Sequence, residues 1–326
     1  MFIRFFKTNQ PAAYIAVTLT GVALWSFSLL KPIPLDLPAG MPLYDLLLFP
    51  FANFKSLFII FAFIMVLFQA FYLESIINSN DLRVKNSHLP SLFYLIIASS
   101  MPSFLTLNPV MLANLPLLFT VHLLFSSYRK DEAFSDVFDA GFLVAIASLI
   151  YFPAIVFLPM IWIALILLRP FIWREWVISL LGFLVPYIFA LSYFFWFDRL
   201  GWFVYEKLFR LFFVSFLHSA IPHAYYYYIA IIIPLLIFSL LEHFRLMQTG
   251  QIRIQKYLLL ILWFFFFSIG SYLLAPSWSF NHFTLLAIPV SVFFGNYFLS
   301  INRNWIAEIL FLLLLATILY GQFKCL

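Results

Sequence analysis

The chain has 326 residues, of which 65% are hydrophobic and 10% charged, and its mean hydropathy is +1.04. A water-soluble domain carries roughly a quarter charged residues, so this composition excludes one and calls for lipid as the solvent. The formal net charge of +5 comes without any basic run longer than two residues; that excludes a nucleic-acid partner, whose phosphates would have to be tracked, and leaves the excess as a topology signal.

At about 20 residues per crossing, the length holds roughly ten or eleven passes. The expected fold is therefore all-α, a polytopic helix bundle forming a single transmembrane domain over 1–326. Arg4 and Lys7 precede the apolar run 11–30, and the run ends in Leu30-Lys31-Pro32 with no small-x-small cleavage site. That is the layout of a retained signal anchor with its amino end in the cytoplasm. Residues 31–55 combine five prolines with Asp36 and Asp45 and read as an outer loop containing an interfacial or re-entrant piece.

A second span over 56–77 leads to an inner loop with Asp81, Arg83 and Lys85. A third over 89–105 turns at Asn108-Pro109, and a fourth over 110–128 returns to Arg129 and Lys130. The stretch 138–168 then reads as a short helical hairpin: 138–152 runs outward, Pro153 marks the turn, and 154–168 comes back to the segment RPFIWREW. Gly141, Ala145 and Ser148 recur at i, i+4 and i+7, a stripe of small residues expected to pack closely against another helix. A seventh span covers 176–197. Residues 198–223 mix aromatics with charges and suggest an interfacial amphipathic segment. Tyr225 to Tyr228 mark the start of an eighth span to 241, and three more follow over 257–274, 282–299 and 305–320. The lone Cys325 offers no internal disulfide.

This alternation puts twelve Lys and Arg inside (Arg4, Lys7, Arg83, Lys85, Arg129, Lys130, Arg169, Arg174, Arg245, Arg253, Lys256, Arg303) and six outside (Lys31, Lys55, Arg199, Lys207, Arg210, Lys324). Such a bias predicts an inner, cytoplasmic membrane location with the amino terminus cytoplasmic.

Ionisable residues are scarce within the spans, where only His122, Gln69 and Asn114 stand out as polar. Ion-coupled transport needs buried charges along a path, so transport is disfavoured, and the amide side chains are expected to bond neighbouring helices. Polar residues gather instead at the rims. Outside, a carboxylate can act as general base on an attacking hydroxyl while Arg, Lys and His neutralise a leaving phosphate. The candidates are Asp36 and Asp45 as catalytic carboxylates, with Asp198, Arg199, Lys207, Arg210, His218 and His282 as substrate-binding groups. The competing reading is that these are interfacial residues held in water. His218 and His223 are five apart, not the four of a helical zinc pair, and no HExxH is present; no metal site is expected, and the cofactor is left open. Inside, Arg169, Trp173, Arg174 and Trp176 look like an interfacial anchor, and Glu74 and Glu242 like structural residues at helix ends.

The FDAG segment with its hairpin and RPFIWREW, together with the FFK amino end and the loop NDLRVKNSHLPSLFYL, resembles an uncharacterised family of multi-pass inner-membrane proteins of Bacteroidota. More distantly, an Asp-bearing first outer loop and many apolar helices around a short hairpin are similar to membrane glycosyltransferases of the GT-C architecture. That likeness implies a polyprenyl-phosphate-linked sugar as donor, a role in cell-envelope glycan or lipid assembly, and Asp36 or Asp45 as the catalytic carboxylate. The chain departs from better-known members in lacking a paired acidic motif and a periplasmic domain. The alternative is a non-enzymatic membrane subunit or scaffold of an envelope complex.

Overall fold

The computed structural model describes residues 2–7, 10–30, 41–48, 55–82, 87–130, 132–209, 224–275 and 280–325. Their regular structure is helical throughout, as expected where no water is at hand to satisfy backbone groups. In order the helices are α1 (Phe2–Phe6), α2 (Ala12–Leu30), α3 (Pro42–Leu48), α4 (Lys55–Ser79), α5 (Leu89–Ala98), α6 (Pro109–Ser126), α7 (Phe134–Ile150), α8 (Phe157–Leu168), α9 (Trp173–Trp196), α10 (Ala224–Thr249), α11 (Ile252–Gly270), α12 (Ala287–Ser300) and α13 (Asn304–Cys325). Helix starts follow local chemistry. At α6 the Asn108 side chain accepts from Met111 N at 2.7 Å, and Pro109 opens the first turn where its missing N–H costs nothing.

Contacts between residues distant in sequence sort the helix ends into two sets. The near end holds the amino terminus. There His88 N donates to Phe6 O (3.0 Å), Lys7 Nζ to Ile301 O (3.1 Å), Tyr257 OH to Phe125 O (3.0 Å) and Arg253 pairs with Asp81 (3.2 Å). Toward the far end Trp25 Nε1 donates to Ser99 Oγ (2.9 Å), Gln322 Nε2 to Ser99 O (2.6 Å) and Tyr44 OH to Leu107 O (2.8 Å). Successive long helices run alternately between the two.

Among the described residues seven helices are long and apolar enough to cross a membrane: 58–79, 109–126, 173–196, 226–249, 252–274, 280–300 and 304–324. Three shorter apolar stretches, 12–26, 89–98 and 152–168, accompany them among the described residues. Ten or eleven full spans were expected, and the difference lies in these short pieces and in α7, which is 17 residues long. The run expected to span 89–105 is helical only to Ala98, then bends through Ser99, Ser100 and Pro102, and every residue of α5 is buried. At 1.5 Å per residue, ten residues rise about 15 Å, half a hydrocarbon core, so α5 is an inserted half-helix wrapped by protein.

Around it α6 and α12 are mostly buried, while α9 and α10 show most of their surface. Their exposed faces carry Leu181, Ile188, Phe189, Ile237, Phe238 and Leu241, the apolar belt that a bilayer would cover. Interior polar groups bond across helices. Tyr94 OH donates to Gln69 Oε1 (2.7 Å), Gln69 Nε2 to Met111 O (2.8 Å) and Asn114 Nδ2 to Thr284 O (2.9 Å). The expected packing of the small-residue stripe is present as well. A Cβ built on Gly141 would lie 2.1 Å from Ser179 O, one on Gly182 would lie 2.1 Å from Phe138 O, and Ser148 Oγ meets Tyr187 OH at 2.8 Å. α7 and α9 therefore touch backbone to backbone.

The expected turn of the hairpin falls where Pro153 sits, in a 3-10 stretch Phe152–Val156 between α7 and α8. Arg169, expected as part of a lipid-facing anchor, is instead buried. Its Nε and Nη2 meet the two carboxylate oxygens of Glu175 at 2.9 and 2.8 Å, and Nη1 donates to Ser127 O at 2.6 Å. This bidentate pair links α8 to α9 across the Pro170 turn and fastens both to the end of α6. Trp173 stays exposed, and Trp176 stacks on Trp162 with ring centroids 6.0 Å apart. At the near end Glu74 is buried and accepts from His88 Nδ1 at 2.7 Å and from the Ser91 hydroxyl, a structural tie between α4 and α5.

Candidate functional site

The far end brings together two of the segments that carry the candidate residues. α3 is a short helix whose Tyr44 is buried and whose Leu46 and Leu47 are exposed, so it lies across the end of the bundle. After α9 the chain turns through Asp198, whose φ of 55° is the left-handed conformation common just past a helix end, and Arg199 N bonds Phe194 O at 2.9 Å. A single helical turn, Leu200–Trp202, then passes into the π-helical stretch Phe203–Phe209. Phe203 is fully buried in a small apolar cluster with Met41, Leu149 and Phe152. That cluster seats the α3 segment and the 203–209 stretch against the far end of α7 and the hairpin turn.

On this seat the Lys207 ammonium lies 3.5 Å from Asp45 Oδ2, and 5.4 Å from the centroid of Trp202. The Asp45 side chain is 51% exposed and that of Lys207 only 14%. The cation is thus held against protein while the carboxylate keeps a face to the outside. Burial pushes the neighbouring Tyr44 phenol well above its ordinary range, with the Asp45 charge adding to the effect. Tyr44 stays protonated and donates to Leu107 O at 2.8 Å, which anchors α3.

Asp198 and Arg199 are both exposed in the turn that ends α9. His282, expected at the rim, is buried. Its Nε2 lies 3.1 Å from Ser268 O, which can only accept, so Nε2 carries the proton and Nδ1 accepts from Tyr151 OH at 2.7 Å. Both ring nitrogens are thereby used, and the imidazole ties the end of α7 to the segments before α12. Asp36, Arg210, His218 and His223 lie outside the described residues.

Two contributors to this end went unnoticed in the sequence. Trp202 looked like one aromatic among many, and only the π-helical stretch Phe203–Phe209 brings Lys207 over its ring. Phe203, the buried anchor of the segment, carried no signal that separates it from its exposed neighbours.

Chemically, a half-exposed carboxylate beside a sheltered ammonium can accept a proton from a hydroxyl and hold a phosphate oxygen in one place. No curated protein and no solved structure matches the chain. A family model does, over residues 36–325. That span takes in α3, the 203–209 stretch and every long helix from α4 onward, and the chain belongs to this family of unknown function, DUF6427.

Proposed function

We propose that the protein is a GT-C-like membrane glycosyltransferase working at the far end of the bundle on a polyprenyl-phosphate-linked sugar, in the inner membrane with its near end in the cytoplasm. The observation that carries this reading is the convergence of Asp45 and Lys207, 162 positions apart in the chain, to 3.5 Å at the rim. In the reaction the acceptor hydroxyl gives its proton to Asp45 and its oxygen bonds the anomeric carbon. The bond from that carbon to the phosphate oxygen breaks, and polyprenyl phosphate leaves with the electron pair. Lys207 meets the growing negative charge, with the exposed Arg199 near the same end. Asp36 is the second candidate base, and Arg210 and His218 are further phosphate ligands in this scheme. His282 acts through Tyr151, holding the hairpin end in position. The two-to-one excess of Lys and Arg on the near-end side supports the orientation.

The test is turnover of a labelled polyprenyl-phosphate sugar by the full chain in proteoliposomes, alongside complementation of a deletion strain. Asp45→Asn is expected to lower turnover by about 100-fold to 10,000-fold, the usual share of a general base, and Lys207→Gln by at least about tenfold. If Asp45→Asn and Asp36→Asn both retain full function, the enzyme reading fails and a non-enzymatic envelope subunit takes its place.

A further inference from the structure

The turn after α4 and the near ends of α10, α11 and α12 line a half-open cavity of about 420 Å³. At about 30 Å³ per water-sized group this holds roughly a dozen non-hydrogen atoms, within the range of small-molecule sites. Its walls are largely apolar, formed by Leu246, Ile254 and Leu258 among others. Five polar side chains break that surface: Thr249 and Ser300, whose hydroxyls donate to backbone carbonyls of their own helices, and Asp81, Glu242 and Asn296.

Asn296 is the informative one. It is 3% exposed, and among the described residues neither its amide nitrogen nor its amide oxygen has a hydrogen-bond partner. A buried amide with both atoms unanswered is rare in a folded protein and calls for a partner. The torsion that turns an amide is soft, so either atom can be presented to the cavity it lines.

The charge of the lining decides the kind of partner. Glu242 is little exposed, and its ion pair with Arg245, at 3.7 Å, is loose because the arginine is mostly in solvent. Asp81 pairs with Arg253 at 3.2 Å, and neither arginine lines the cavity. Among the described residues the lining is therefore acidic, with an amide below and apolar walls beside it.

We infer that this cavity is a second site, separate from the far-end chemistry, which binds the primary ammonium head of an amphipathic molecule. An ammonium has three donors and no acceptor, so it can serve the Glu242 carboxylate and the Asn296 amide oxygen together while its alkyl chain lies on the leucine walls. A carboxylic acid would meet two carboxylates, and an alcohol would add no charge to oppose Glu242 beyond its loose pair with Arg245. The ammonium can belong to an aminophospholipid or to a free alkylamine; the chemistry of recognition is the same.

The test uses the full chain purified in detergent, with dodecylamine as probe below its micellar concentration and dodecanol and dodecanoate as controls. Dodecylamine is expected to bind at least about tenfold more tightly than either control, and Glu242→Gln to lose at least about tenfold in dodecylamine affinity while melting like the parent. Asn296→Leu, which fills the floor, is expected to weaken binding while holding or raising the melting temperature. Competition by phosphatidylethanolamine but not phosphatidylcholine in nanodiscs assigns the site to the lipid headgroup; absence of competition assigns it to free amines. Equal binding of the alcohol and the amine, or unchanged affinity in Glu242→Gln, overturns the proposal.

Discussion

Gly141→Ala would put a methyl carbon 2.1 Å from the carbonyl oxygen of Ser179 and 3.1 Å from Phe183 N. Those are backbone atoms inside a helix and cannot swing aside, so α7 and α9 would have to move apart by about 1 Å before the contact becomes ordinary. Forced overpacking of this kind costs about 1–3 kcal/mol. Stretching the Ser148 to Tyr187 hydrogen bond, now 2.8 Å, removes about 1 kcal/mol more. Against this, alanine returns about 1 kcal/mol of helix propensity. The net expectation is a loss of about 1–3 kcal/mol. Gly182→Ala meets Phe138 O at the same 2.1 Å and should cost as much. The double variant should cost clearly less than the sum, because one separation relieves both clashes. Gly201→Ala, where nothing lies within 4 Å of the added carbon, is the control and should be neutral. Reversible unfolding in mixed micelles measures all four. If Gly141→Ala lies within about 0.5 kcal/mol of the parent, or if the two losses add in full, the backbone contact is not what holds this crossing.

The buried Arg169–Glu175 pair makes a sharper contrast. Arg169→Met alone strands a carboxylate in the interior and should cost about 3–5 kcal/mol, whereas Arg169→Met with Glu175→Leu should recover most of that, read by the same unfolding assay. Gln69→Leu leaves Tyr94 OH without its acceptor and should cost about 1–3 kcal/mol. Lys7 adds a pH dependence: burial holds its ammonium pKa below the ordinary 10.5, so the unfolded chain binds more protons between the two values. Stability should therefore rise with pH through the window from the folded pKa up to about 10.5 and level off above it. Lys7→Met should flatten that slope, as measured by melting temperature against pH.

The apolar segments were legible because lipid leaves a chain only helices to form, and the loops between them fell where Pro, Asn and charge pairs stand. The close packing of Gly141, Ala145 and Ser148 was legible for a similar reason, since small residues at helical spacing have few other uses in a membrane. The end of α5 was not. Hydropathy runs on through 105, and only the bend at Ser99, Ser100 and Pro102 shows that the helix stops at Ala98. Arg169 was misread as a lipid anchor because a cation among aromatics fits that role equally well. Its pairing with Glu175 spans a proline turn, which periodicity cannot register. His282 was expected at the rim, but the 3-10 stretch Phe280–Leu286 carries it into the interior. At the far end the residue types were visible and their convergence was not, because Asp45 and Lys207 meet only through the Phe203 cluster. Asn296 passed as one amide in an apolar run, and only the ends of three helices and the turn after α4 make it part of a cavity.

The central claim is that an apolar belt crosses lipid and holds the Asp45–Lys207 end and the Arg245–Arg253 end on opposite sides. Single cysteines at Tyr205 and Arg245, both more than 70% exposed, placed in a Cys325→Ser background and probed with a membrane-impermeant maleimide, test it directly. In intact cells Tyr205→Cys should label from outside and Arg245→Cys should label only after the membrane is opened. Labelling of both from the same side would contradict the account.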